Sequence, residues 1–184
     1  MKSPTRYAAL LRGVNLGRAK KIAMADLREL MENVGFTDVR TVLNSGNIVL
    51  TTTPQPTTTI AEQIEQAIAS TLSLSTKATV LSAAEFSEIA RENPLLEHAD
   101  HPSRLHVAFL RDLAAAKRLE AVAAEDWAPD VLAIGRRAAY MWLPNGLSTS
   151  RLPLAVDKLL RDDVTVRTWG TVSKLVTLLE PPGR

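Results

Sequence analysis

The chain of 184 residues has no cysteine. That excludes a disulfide framework, a thiolate metal site and a cysteine nucleophile, and it fits a reducing compartment. Long apolar runs are also missing. Arg12 interrupts the stretch 7–11 before it becomes a signal core. Nothing approaches the ~20 apolar residues of a membrane helix. A soluble, cytoplasmic protein with no membrane partner is therefore expected. Charge of one sign is lacking too: the net value is +2, too small to argue for nucleic acid by itself. Aromatic residues make up only 4% of the chain. In the expected first and third strands only Tyr7 offers a ring, since Ile48, Val49 and Leu50 are aliphatic. This removes the usual base-stacking sheet surface of RNA readers.

What is present is a repeated order of elements. Residues 6–11 form a short apolar run, expected as a strand. Residues 24–34 place apolar side chains at 24, 27, 30, 31 and 34, the spacing of a helix, and Gly35 supplies its stop. Residues 39–43 and 48–50 are β-rich and flank the turn Asn44-Ser45-Gly46-Asn47. A Thr- and Pro-rich loop precedes a second helix at Ile60, Ile64, Ile68 and Leu72, and residues 78–81 make a fourth strand. The order β-α-β-β-α-β is that of a ferredoxin-like unit. It recurs with strands at 105–110, 131–134, 139–143 and 164–167 and helices at 114–124 and 151–160, the latter entered through Ser148 or Ser150. The fold expected is α+β: two tandem ferredoxin-like modules with a connecting helix and a C-terminal helix. The expected boundaries are 1–82, 83–104 and 105–184. Several strands do not alternate apolar with polar residues, so both sheet faces should be covered. The sheets would face each other, or the protein would form a homodimer.

Topology directs attention to two loops. In such a unit the loop after strand 1 and the hairpin after strand 2 lie at the same end of the sheet. Here they carry Arg12, Gly13, Asn15, Gly17, Arg18, Lys20 and Lys21, and then Asn44, Ser45, Gly46 and Asn47. The first helix also begins there, and its amides favour an anion. Glycines let a ligand near the backbone, bases neutralise it, and asparagines orient it. Residues 1–50 hold 8 basic and 4 acidic side chains, a local +4. The same residues equally suit turns and a solvated surface. A second candidate anion contact is Arg167 with Lys174, where the last strand meets the last helix through Thr168 and Thr171. Neither the P-loop nor the dinucleotide glycine fingerprint is present, and no cofactor is expected. His98, His101 and His106 lie near Glu97 and Asp100 in or beside a Pro-flanked connector, without the scaffold of a metal site. No nucleophile elbow occurs.

The segments Leu10-Leu11-Arg12-Gly13-Val14-Asn15-Leu16-Gly17, Gly35-Phe36, Asn44-Ser45-Gly46-Asn47, residues 104–110 and Arg167-Thr168-Trp169 resemble the DUF1697 family of bacterial proteins. The resemblance spans nearly the whole chain. It implies an α+β fold of two similar subdomains and, the family being named for its lack of an assigned function, no catalytic residue. The family's usual Asn-Lys in the first loop is replaced by Lys20-Lys21, and its Arg-Asn-Trp by Arg167-Thr168-Trp169. The leading expectation is a protein that binds a phosphate-bearing small molecule or nucleic acid at the loop end of the first module. The alternatives are an enzyme acting on a phosphorylated or carboxylated metabolite in a cleft between the modules, for which no proton-transfer residue stands out and His106 is the nearest candidate, and a self-associating structural protein.

Overall fold

A computed structural model describes residues 3–15 and 21–180. The chain divides into two compact units, Met1–Ser87 with Leu175–Arg184, and Glu88–Lys174. The expected boundaries had kept the whole closing helix with the second module; the contacts divide that helix at Lys174.

In unit 1, β1 (Thr5–Leu11), β2 (Thr37–Val42), β3 (Asn47–Thr52) and β4 (Ala78–Ser82) form an antiparallel sheet ordered β2-β3-β1-β4. Helices α1 (Met24–Val34) and α2 (Thr57–Leu72) join the strands, and α3 (Ala83–Arg91) follows β4. The 3–4 spacing of apolar residues gives α1 its buried stripe of Leu27, Leu30 and Met31. Those side chains and Ile60, Ile64 and Ile68 of α2 pack with Ala9, Leu11, Ile48 and Leu50 of the sheet. Each such buried aliphatic side chain contributes about 1.5–3 kcal/mol. Gly35 ends α1 at φ +103 with its amide on Glu32, while the Phe36 amide reaches back to Met31. This double closure satisfies two carbonyls that the helix leaves unpaired.

Unit 2 repeats the plan. Strands β5 (Leu105–Leu110), β6 (Val131–Ile134), β7 (Ala138–Trp142) and β8 (Val164–Thr168) are ordered β6-β7-β5-β8. The single helix expected over 114–124 is two pieces, α4 (Leu113–Arg118) and α5 (Glu120–Ala123). Leu119 between them stays right-handed at φ −70 and ψ −15, and its amide is shared between the carbonyls of Ala115 and Ala116. The interruption is a tightened turn, not a change of direction. Helix α6 (Leu152–Leu160) starts where expected, with the Leu152 amide donating to Ser150 Oγ at 3.2 Å. Helix α7 (Trp169–Leu179) closes the chain.

In the central strands both faces of each sheet are buried. Ala8, Val49 and Leu81 are paired neighbours on the face of the first sheet away from α1 and α2, and all are buried. Val107, Tyr140 and Phe109 are their counterparts in the second. This burial explains why these strands do not alternate. Among the described residues no helix is long and apolar enough to cross a membrane.

Candidate functional site

The loop end of unit 1 is built by backbone contacts. Leu11 donates its amide to Gly46 O at 2.8 Å, and Arg12 donates to Lys77 O at 2.8 Å. The exit of β1 is thus tied on one side to the β2–β3 turn and on the other to the entry of β4. Thr76 Oγ1 donates to Arg12 O at 2.7 Å, and Glu65 of α2 accepts the Ala78 amide at 2.9 Å. Gly46 has φ +72, and a Cβ there would lie 2.5 Å from Val14 Cγ2 and 2.8 Å from Leu11 Cβ. Only glycine lets the two loops meet so closely.

The asparagines build this end. Asn15, at φ +57, donates Nδ2 to Ile22 O at 3.0 Å and to Asn44 O at 2.6 Å, and its Oδ1 accepts the Ile22 amide at 2.7 Å. It ties Ile22 back to Asn15 as a backbone bridge would, and fastens Asn15 to the hairpin. Asn47 is fully buried and donates to Val42 O and Ser45 Oγ, both at 2.9 Å. Asn44 offers an exposed side chain and Ser45 a half-exposed one. Arg12 and Gly13 are half-exposed at the strand exit, with open space around the position of a Gly13 Cβ. Lys21 is exposed and has no ion-pair partner among the described residues. Gly17 and Lys20 lie outside the described residues. Helix α1 begins after Ala23 with no side-chain cap, and Asp26 stands in its first turn. Lys77 Nζ is held by Glu65 at 3.2 Å beside a shallow hollow of about 390 Å³ that both residues line.

The chain matches DUF1697, described as a protein of unknown function, over residues 5–140. It belongs to that family. A conserved bacterial protein from Streptococcus pneumoniae has a similar structure, with 25% sequence identity and a TM-score of 0.80 over 96% of this chain and 99% of that one. A search of curated proteins found no match. The match and the similar structure agree with the two ferredoxin-like modules described above.

In this DUF1697 chain, Arg167 and Lys174 belong to unit 2 and are described with it. Arg167 lies on the edge strand β8 opposite Val107. Burial lowers its pKa to about 10, so it stays charged at neutral pH. Lys174 is exposed on α7. Thr168 and Thr171, at the junction of β8 and α7, bond to each other through their hydroxyls at 3.2 Å. His106 is buried on β5, and its Nδ1 lies 3.0 Å from Arg104 O. A carbonyl only accepts, so Nδ1 carries the proton of the neutral ring. Burial lowers the His106 pKa, and that bond partly opposes the shift. His98 stacks on Trp142 with ring centroids 4.2 Å apart, and His101 tilts toward the same indole at 5.8 Å. These histidines hold the connector against the end of β7; among the described residues no His and carboxylate cluster could hold a metal.

Unit 2 also carries the same strand-exit ties. Leu110 donates to Arg137 O, and Arg111 to Asp163 O. These match the bonds of Leu11 and Arg12, so Arg111 is the positional counterpart of Arg12. Sequence reading gave no notice of Thr76, Glu65 or Arg137 as members of these ends. Their only signal was adjacency to strand termini.

Proposed function

We propose that the loop end of unit 1 binds an anionic, phosphate-bearing partner, either a small molecule or a nucleic acid. One observation carries the reading, and it is a contrast within the chain. In unit 2 the helix after the first strand starts at Asp112, whose carboxylate accepts the Ala115 amide at 2.8 Å. In unit 1 the corresponding helix α1 starts without a side-chain cap and next to Lys21, which has no ion-pair partner among the described residues. Unit 1 has no such capping carboxylate, although Asp26 stands in its first turn, and Lys21 adds a cation beside it for an external anion. Arg12, Gly13 and Lys21 would contact the anion, and Asn44 and Ser45 would orient it. Asn15 and Asn47 serve this reading as builders of the loops. His106, the proton donor or acceptor of the enzymatic alternative, is buried, so no observation favours catalysis.

The test is a thermal-shift and calorimetric titration with inorganic phosphate, pyrophosphate, nucleotides and short RNA and DNA at two salt concentrations. A ligand at about 100 times its Kd adds ~2.7 kcal/mol, a rise of roughly 5–11 °C for a chain of this size. Arg12→Ala with Lys21→Ala should weaken binding about tenfold. Unchanged binding in that variant, or shifts with every polyanion that vanish in salt, would remove the site.

A further inference from the structure

We infer that the edge strand β6 pairs with β6 of a second copy of this chain, joining two four-stranded sheets into one of eight. Gly135 donates its amide to Ala138 O at 2.7 Å, which fixes the phase of the β6–β7 ladder. With the register Ala133↔Tyr140, residues 131 and 133 face β7. The amides and carbonyls of Leu132 and Ile134 point outward, and neither residue has a further partner among the described residues. The strand, Val-Leu-Ala-Ile, has no charge, no proline and no bulge. Val131 is 40% exposed. Its counterpart in unit 1, β2, is guarded: Asp38 and Arg40 are exposed, and its register shifts between Thr37 and Arg40. Charges and bulges are two of the devices that keep an edge from pairing, and β6, short at four residues, has neither.

What selects a second copy is the charge order along the strand. Acidic Glu125, Asp126 and Asp130 precede β6, and Arg136 follows it. Antiparallel pairing about a two-fold axis at Ala133 sets Leu132 against Ile134 twice, making four hydrogen bonds from the groups left open. Just past the strand ends the same register brings Asp130, whose carboxylate also accepts the Ser150 hydroxyl, near the turn residue Arg136 of the other copy at both ends. Arg136 is exposed and has no partner among the described residues. Beside the acidic end lies a hollow of about 280 Å³ lined by Glu125, Asp126 and Asp130, room for an arginine head from the other copy. A foreign strand would need this same polarity; a second copy has it by symmetry.

The experiment combines sedimentation equilibrium with amide hydrogen exchange of the full chain over a wide concentration range. The wild type should dimerise reversibly, and the amides of Leu132 and Ile134 should gain protection as dimer forms. Arg136→Glu, at an exposed position that supports no packing, should keep its melting temperature and weaken dimerisation by at least about tenfold. A wild type that stays monomeric to the highest concentration reached would overturn the inference. So would a dimer in which those two amides still exchange freely, or one that Arg136→Glu leaves unchanged.

Discussion

Gly46→Ala tests the interlock on which the loop end of unit 1 depends. Two terms add. Gly46 sits at φ +72, where a Cβ costs about 1–2 kcal/mol. The new methyl would also stand 2.5 Å from Val14 Cγ2 and 2.8 Å from Leu11 Cβ. The valine tip can turn aside. Leu11 Cβ cannot, because Leu11 is buried in β1 and its own amide is bonded to Gly46 O. Overpacking of this kind costs about 1–3 kcal/mol, so the total is about 2–5 kcal/mol. That lowers Tm by roughly 4–20 °C at ~2–4 °C per kcal/mol. Gly13→Ala separates the terms, since Gly13 has φ +68 and nothing within 4 Å of the added carbon; it should lose about 1–2 kcal/mol only. Urea titrations of both variants, read at the midpoint with unchanged slope, give the comparison. If Gly46→Ala costs no more than Gly13→Ala, the two loops do not interlock.

His106 gives a pH prediction. Its folded pKa lies below the ordinary 6.5 because the ring is buried, so the unfolded chain takes up a proton first as pH falls. Stability should be full above about pH 6.5 and decline below it; His106→Gln should flatten that part of the profile, as urea midpoints would record. Arg6 donates to Leu178 O at 3.3 Å and to Glu180 O at 2.6 Å, satisfying carbonyls at the end of α7. Arg6→Ala should cost about 1–2 kcal/mol and speed hydrogen exchange in the last turn of α7. Equal exchange there would show the contact to be idle.

Much of the fold was legible because its elements obey strong periods. The α1 stripe at 27, 30 and 31 and the stop at Gly35 could be read directly, and both are present. Strands that failed to alternate announced sheets buried on both faces, and Ala8, Leu10 and Phe109 are buried. The loop end was legible as a place but not as a set of roles. Asparagine is equally suited to holding a ligand and to holding its own chain. Asn15 uses both ends of its amide on Ile22, seven residues away, and local spacing carries no sign of such a bridge. The turn of α4 into α5 at Leu119 was likewise invisible, since Ala- and Leu-rich sequence suits either a continuous helix or a tightened one.

The Arg6 contact bears on the order in which the protein is made. Its partners, Leu178 O and Glu180 O, are separated from it by 172 and 174 residues, whereas unit 2 is one unbroken stretch. At ~5–20 residues per second, a ribosome needs roughly 10–35 s to travel that distance. Throughout that interval the nascent first sheet lacks the last turns of α7, and unit 2 can fold before unit 1 is whole. Strand β1, made well before α7, is thus among the last strands to gain all its contacts.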